Sequence, residues 1–276
     1  MPAPDLTAVA VLCRTSDTAP GPALGAHALA RALGRRLGAQ PHALGEPTRE
    51  LPRRRWEDDL RGARACLDEV GALADEAFAA ERPLLVAAGE CSVAVTTLAA
   101  LARERPDARV LWLDAHGDFN SPGTSESGYL GGMCLAGGCG VWDTGFEGAV
   151  APDQVVLAGV RDLDEGEREL LADTRAHLLG VTSDLPARVR VAVQDEPVFV
   201  HLDLDVLDPD AFPTTQVPTQ GGLSEAGLEE VLRGVAESAT VLGVEVTAFD
   251  APADSRERER LAERVAALVA PLLQAR

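Results

Sequence analysis

Short runs of apolar residues alternate along the chain with longer amphipathic segments. The runs have the length of buried strands, whereas the longer segments carry apolar residues at helical spacing. This alternation predicts strands at residues 6–13, 84–88, 109–113, 154–160, 198–203 and 241–247, and helices at residues 22–37, 56–80, 92–104, 164–173, 224–238 and 257–273. Ser92 and Ser224 are candidate N-caps of two of these helices. Strands separated by helices indicate βαβ units, so we expect a three-layer α/β/α fold with a mostly parallel, doubly wound sheet, in one domain over residues 1–276.

Two groups of metal-capable side chains follow two of the predicted strands. Asp114, His116 and Asp118 occupy alternate positions after the strand at 109–113, and Asp203 and Asp205 do so at the end of a second strand. Alternate side chains of an extended chain point the same way, and open α/β sheets bind ligands at the carboxyl ends of their strands. A single Asp at a strand end is often only a cap or turn residue, but the repeated pattern favours a site for two metal ions. Its donors suit Mn²⁺, with Fe²⁺ or Co²⁺ as further candidates and Zn²⁺ less suitable.

Composition narrows the class of protein. The chain has 276 residues, of which 46% are apolar and 25% charged, as is usual for a soluble globular protein. A formal net charge of −19 argues against binding to nucleic acid or to anionic membranes. The five cysteines form no CxxC pair and the first residues do not resemble a signal peptide. We therefore expect a cytoplasmic protein without a disulfide scaffold, acting on a small molecule.

Residue usage points to one side chain. The chain contains no Lys and no Ile, and Asn120 is its only Asn. These three residue types have AT-rich codons, so a GC-rich genome explains their rarity. Because Asn120 persists two residues beyond Asp118, we expect it to have a function.

Five sequence blocks resemble the arginase or ureohydrolase superfamily, which includes arginases, agmatinases and formimidoylglutamases. The resemblance extends from about Leu84 to Asp254. Its blocks are Asp114–Asn120, Ser127–Met133, Val160–Glu167, His201–Pro209 and Gly221–Ser224. The resemblance implies an arginase-like fold, a hydrolase of linear C–N bonds in amidine or guanidino compounds, and assembly into trimers or hexamers.

The resemblance also implies two Mn²⁺ ions per chain, bridged by Asp114 and Asp203. The other ligands would be Cys91 and Asp118 on one ion, and His116 and Asp205 on the other. A hydroxide held between the ions would attack the amidine carbon, and Asp118 would carry its proton to the departing amine.

Three further residues match positions that bind the amino-acid part of the substrate. Asn120 and Ser127 match positions that bind the α-carboxylate, and Asp164 matches one that faces the α-amino group. Ser127 is alternatively a turn residue, and Asp164 a helix N-cap.

Three positions depart from the family pattern. Cys91 replaces a metal-binding His, so the ion on that side would bind weakly or differ from Mn²⁺; the alternative is a small buried core residue. Gly131 replaces a His that shuttles protons. Ala248 replaces a Glu that grips the guanidinium, and Glu245 and Asp250 are the nearby acids that could substitute for it, although Glu245 would point away along a strand.

These departures leave two functions open. The first is a metal-dependent hydrolase whose substrate is an amino acid with an altered tail, such as an N-hydroxyguanidino or formimino group, with ordinary arginase activity disfavoured. The alternative is a non-catalytic homologue that binds a metal or a small ligand.

Overall fold

The computed structural model of the chain describes residues 6–47, 52–213 and 215–274. Its centre is an eight-stranded parallel sheet with the order β2-β1-β3-β8-β7-β4-β5-β6. The strands are β1 Thr7–Val11, β2 His42–Leu44, β3 Leu84–Ala88, β4 Arg109–Leu113, β5 Val155–Ala158, β6 His177–Leu179, β7 Pro197–Asp203 and β8 Thr240–Thr247. Because the strands are parallel, they all end at one edge, and β8, β7 and β4 end side by side near its middle.

Helices cover both faces of this sheet. They are α1 Gly21–Leu37, α2 Trp56–Ala79, α3 Ala94–Glu104, α4 Cys134–Gly138, α5 Glu165–Ala172, α6 Leu185–Val193, α7 Glu225–Ser238 and α8 Ser255–Leu273. Leu111 and Val200 pack towards α1, α6, α7 and α8, whereas Trp112 and Phe199 pack towards α2 and α3. The predicted three-layer fold is confirmed; the single domain over residues 1–276 stays a prediction. Within the described ranges, no helix has both the length and the apolarity needed to cross a bilayer.

Four short elements are not predicted from the sequence, namely β2, β6, α4 and α6. The sequence of α6 has a strand-like pattern, because Val189, Val191 and Val193 alternate with other residues. The segment is nevertheless helical, with Pro186 in its first turn and Val191 exposed to solvent. The N-cap predicted at Ser224 is confirmed, since its Oγ accepts a hydrogen bond from Gly227 N at 3.1 Å.

The N-cap predicted at Ser92 is wrong. Residues Cys91–Val93 form a 3₁₀ turn and α3 begins only at Ala94. Ser92 Oγ instead lies 3.0 Å from Ser16 Oγ, so this hydroxyl joins the end of β3 to the loop after β1.

The cysteines also differ from expectation in one respect. Cys13 and Cys66 form a disulfide between the end of β1 and α2, with their Cα atoms 6.7 Å apart. Cys91, Cys134 and Cys139 are buried free thiols. The sequence leads us to expect no disulfide scaffold, and this single pair is not predicted from it.

Candidate metal centre and adjoining cavity

The two acidic clusters lie at the ends of the neighbouring strands β4 and β7. Asp114 directly follows β4 and Asp203 is the last residue of β7. Each carboxylate accepts a hydrogen bond from the backbone N–H two residues ahead: Asp114 Oδ1 from His116 at 2.7 Å, and Asp203 Oδ1 from Asp205 at 2.6 Å. These turns bring the next side chain back beside the first, so the predicted spacing does build one compact cluster.

His116 and Asp205 connect the two strand ends. His116 Nδ1 lies 3.0 Å from Asp205 Oδ2 and 3.4 Å from Asp114 Oδ1. Asp205 Oδ1 also accepts a hydrogen bond from Ala115 N at 3.0 Å. Asp114, His116 and Asp205 therefore form a group whose donor atoms are close enough to hold one cation.

Cys91 lies on the opposite side of Asp114, in the turn after β3. Its Sγ is 2.9 Å from Asp203 Oδ2, 3.1 Å from Thr247 Oγ1 and 3.3 Å from His201 Nε2. The thiol is buried, but its surroundings are polar. This environment supports its interpretation as a ligand more than that of an inert core residue.

His201 is a buried polar residue that is not assigned to the site from the sequence, and Glu245 is its buried partner. Trp112, His201 and Glu245 are paired across β4, β7 and β8. His201 Nδ1 lies 2.8 Å from Glu245 Oε1, and its ring stacks on Trp112 with centroids 3.5 Å apart. Thr97 Oγ1 donates to Glu245 Oε2 at 2.8 Å, so Glu245 does point away from the cavity. The only signal in the sequence is a polar residue inside an otherwise apolar, buried strand.

Two metal-capable groups are found among the described residues, and they share Asp114. One consists of Asp114, His116 and Asp205, and the other of Cys91, Asp114 and His201. Donors bound to one ion at about 2.0–2.3 Å lie about 3–4 Å apart, which agrees with the 3.3 Å between Cys91 Sγ and His201 Nε2. Each of these groups is therefore spaced to hold a divalent cation, and Asp114 belongs to both.

Asp118 and Asp203 lie in the same cluster but outside these two groups. Both side chains line the cavity above the centre. Asp118 has a φ of 48°, in the left-handed region that a non-glycine residue rarely adopts, and its carbonyl accepts hydrogen bonds from Leu135 N and Ala136 N. The first turn of α4 thus holds the Asp118 backbone in place.

Burial makes three of the four carboxyl groups of this cluster harder to ionise, as the pKa shifts of Asp114, Asp118 and Asp203 indicate. Burial, and then the charge of Asp205, raises the pKa of Asp114 to about 6. Burial also raises the pKa of Asp118 and of Asp203 well above the usual value, and Asp114 and Asp205 respectively add to the effect. Burial disfavours the charged form of His116, but hydrogen bonds with Asp114 and Asp205 raise its pKa to about 12. Because this cluster binds a proton strongly, a bound cation is also stabilised there, and metal ions supply such a charge.

Cys91 needs a cation to become a ligand. Burial, followed by the charges of Asp203 and Asp118, raises the pKa of its thiol well above the usual value. Its sulfur therefore becomes a thiolate only when a metal ion offsets these effects.

A cavity of about 260 Å³ opens above the metal-capable cluster. Its wall includes the three predicted substrate residues, Asn120, Ser127 and Asp164. Asn120 Nδ2 donates to Asp164 Oδ2 at 3.0 Å, and Ser127 Oγ accepts from Tyr129 N at 3.2 Å. Ser127 and Asp164 thus have the turn and helix-start positions considered as alternatives, and both also face the cavity.

Glu167 is a further cavity residue that the sequence analysis does not assign to the site. Its Oε1 accepts from Phe119 N and its Oε2 from Asp164 N, each at 3.0 Å. Burial raises the pKa of its carboxyl to about 7. Glu167 thereby connects the loop after β4 to the start of α5, which aligns Asn120 with Asp164.

Two of the positions that depart from the family pattern, Gly131 and Ala248, also lie in this cavity. Both residues line its wall, whereas Glu245 and Asp250 do not. Neither acid considered from the sequence therefore stands in for a Glu at position 248. The wall instead includes Glu90 and Tyr129, whose side chains are hydrogen-bonded to each other.

The parallel sheet has two metal-capable groups at its carboxyl edge and a polar cavity above them, which defines a three-layer α/β protein of the metallohydrolase type. A family model described as the arginase family matches residues 7–273, and the chain belongs to that family.

Similar proteins include both hydroxyarginine hydrolases and arginases. The N(omega)-hydroxy-L-arginine amidinohydrolase of Streptomyces lavendulae is 38% identical over 95% of this chain and 95% of its own length. The arginase of Bacillus caldovelox is 30% identical over 72% of each chain. The crystal structure of arginase from Bacillus cereus has a TM-score of 0.83 at 25% identity and covers 99% of both chains.

Proposed function

We propose that this protein is a metal-dependent hydrolase that cleaves the linear C–N bond of an N-hydroxyguanidino amino acid such as N-hydroxy-L-arginine. The observation that carries the proposal is the pair of ligand groups sharing Asp114, at the floor of a cavity lined by Asn120 and Asp164. The similarity to a hydroxyarginine amidinohydrolase over nearly the whole chain supports the choice of tail group. We propose Mn²⁺ as the metal, on the carboxylate-rich donor set.

Four side chains of the cavity have roles in this proposal. A bound metal pair would supply the positive charge that makes water a nucleophile near neutral pH and that stabilises the oxygen added to the guanidino carbon. Asn120 and Ser127 bind the substrate carboxylate, and Asp164 binds its α-ammonium group. Asp118, beside the metal-capable cluster, takes the proton from the attacking water and delivers it to the departing nitrogen.

The bonds balance without any further reactant. Water adds its oxygen to the guanidino carbon, and the bond from that carbon to the side-chain nitrogen breaks. The nitrogen leaves with a proton, so N-hydroxy-L-arginine yields hydroxyurea and ornithine. We further propose a cytoplasmic location, on the cysteine usage and the first residues of the sequence, and a trimeric or hexameric assembly, on the family resemblance.

The test combines metal content with product analysis. Elemental analysis after loading with Mn²⁺ is expected to give two ions per chain, and hydroxyurea release is expected to exceed urea release from L-arginine. Asp118→Asn should lose most of this activity, whereas Asp107→Asn, an exposed acid beside Arg105, should retain it. Two bound ions with no turnover of guanidino, hydroxyguanidino or formimino compounds would refute the hydrolase and support the non-catalytic alternative.

A further inference from the structure

Two of the departures from the family pattern lie together at one corner of the cavity. Gly131 and Ala248 both line this corner, beside Glu90 and Tyr129. Ala248 offers only a methyl group, which accepts no hydrogen bond from a polar substrate tail. The corner therefore needs another acceptor if it is to bind such a tail.

Glu90 enters the cavity from the strand next to Ala248. Ala248 N donates to Gly89 O at 3.2 Å, so the ends of β8 and β3 are joined directly at this point. Glu90 follows Gly89, and its side chain lines the same cavity as the Ala248 methyl group. A carboxylate is thus present in this corner, supplied by the neighbouring strand.

Tyr129 holds Glu90 in place and depends on the glycine at 131. A Cβ atom at Gly131 would lie 2.5 Å from Tyr129 Cε1 and 2.8 Å from its Oη, closer than atoms approach without a shift. The tyrosine ring therefore occupies the space that a side chain at 131 would need. From there its hydroxyl donates a hydrogen bond to Glu90 Oε2.

The second oxygen of Glu90 has no partner. Glu90 is 5% exposed, and its Oε1 is buried without a hydrogen bond to any part of the chain that the structure describes. A buried acceptor in this state gains strongly from a donor. Because Glu90 lines the cavity, a substrate bound there can bring a donor to this carboxyl group.

We propose that Glu90 binds the N-hydroxyguanidino end of the substrate through Oε1, and that Tyr129 positions it and accepts a hydrogen bond from the N-hydroxyl group. This inference rests on the proposed function and adds the residues that select the tail. It also accounts for selection against arginine. A guanidinium pairs best with both oxygens of a carboxylate, and Oε2 of Glu90 is already engaged by Tyr129. A hydroxyguanidine brings an N–H for Oε1 and an O–H for the phenolic oxygen, so it satisfies both groups.

The decisive variants are Glu90→Gln and Tyr129→Phe, with Glu104→Gln on the exposed end of α3 as the matched control. We expect Glu90→Gln to lower kcat/KM for N-hydroxy-L-arginine about 10- to 100-fold, because the amide keeps only one of the two oxygens that Tyr129 and the substrate share. Tyr129→Phe keeps the ring but frees Oε2, so the preference for N-hydroxy-L-arginine over L-arginine should fall about tenfold or more, mainly through KM. Metal content and thermal midpoint are measured for every variant. A variant that fails to fold is replaced by Glu90→Asp, which keeps the charge but withdraws it from the tail.

Binding is measured separately from turnover, so that failure of the two proposals can be told apart. Calorimetric titration of the metal-loaded protein with N-hydroxyguanidine should show binding to the parent chain and about tenfold weaker binding to Glu90→Gln. If the parent chain binds this probe but turns over no substrate, the proposed function fails while the role of Glu90 stands. If Glu90→Gln and Tyr129→Phe retain both the affinity and the substrate preference of the parent chain, the role of this pair is refuted.

Discussion

Replacing His201 by Leu tests whether the polar pair beneath Cys91 supports the site. His201 and Glu245 are both completely buried, and their nearest atoms are 2.8 Å apart. Leu fills a volume close to that of imidazole, so the substitution removes the hydrogen bond without opening a large void. What it leaves is a buried Glu245 whose remaining described donor is Thr97.

The expected loss in the free energy of unfolding follows from leaving Glu245 buried without His201. Removing one partner of a buried, hydrogen-bonded pair typically costs about 3–5 kcal/mol, because the other partner stays desolvated. For a chain of 276 residues, such a loss in the free energy of unfolding lowers the Tm by about 5–9 °C. The double variant His201→Leu with Glu245→Leu removes both polar groups, so it should be more stable than the single variant.

Thermal and urea unfolding of the metal-free chain, followed by circular dichroism, measure this effect. Phe199→Leu is the matched control, since Phe199 lies on the same face of β7 and has no polar partner; it should cost about 1 kcal/mol. Metal content is measured in parallel. Because His201 Nε2 lies 3.3 Å from Cys91 Sγ, we expect His201→Leu to weaken the ion on the Cys91 side and leave the other bound.

Two results would refute this reasoning. A His201→Leu variant less than about 1 kcal/mol below the parent chain would mean that Glu245 is not a costly buried group. A double variant as unstable as the sum of the two single variants would mean that the two side chains are not coupled.

Three further predictions follow from the same structure. In the metal-free chain, burial raises the pKa of Glu90 from 4.5 to about 8 and that of Glu167 from 4.5 to about 7. The folded state therefore binds more protons than the unfolded state, and the Tm should fall as the pH rises from 5 to 8. A Tm that rises over this range, measured in EDTA, would contradict this. Asp205→Asn removes a donor from the group around His116 and should lower the metal content from two ions to one by elemental analysis, whereas the exposed Asp210→Asn should leave it unchanged. Gly131→Ala should cost about 1–3 kcal/mol in urea unfolding because its Cβ meets the Tyr129 ring, and an equal cost in a Tyr129→Ala background would show that the ring is not the cause.

The parts of this protein that the sequence predicts well are encoded locally. Asp114 and His116 converge because one carboxylate caps the turn that carries the other side chain, and this geometry depends on three consecutive residues. The long helices and the central strands carry enough periodic positions for their pattern to be unambiguous. Strands β2 and β6 have three residues each, too few for a period to be recognised.

The parts that the sequence does not predict depend on contacts between distant segments. His201 and Glu245 are 44 residues apart and meet because β7 and β8 pair in register. Read singly, each is a polar residue in an apolar run, and nothing near it in the chain identifies its partner. The alternative that Glu245 serves the cavity is excluded by this same contact, since its carboxylate is already engaged within the sheet.

The departures from the family pattern, considered one by one, resemble the decay of an active site. Their positions in the fold support a different interpretation. Gly131 provides the space for the Tyr129 ring, Tyr129 holds Glu90, and Glu90 brings a carboxylate to the corner where Ala248 has none. Random loss of function does not select a glycine that accommodates a tyrosine and, at the same time, an acid for that tyrosine to hold. The coupling of these residues is what a changed substrate requires, and it favours an altered tail specificity over the loss of catalysis.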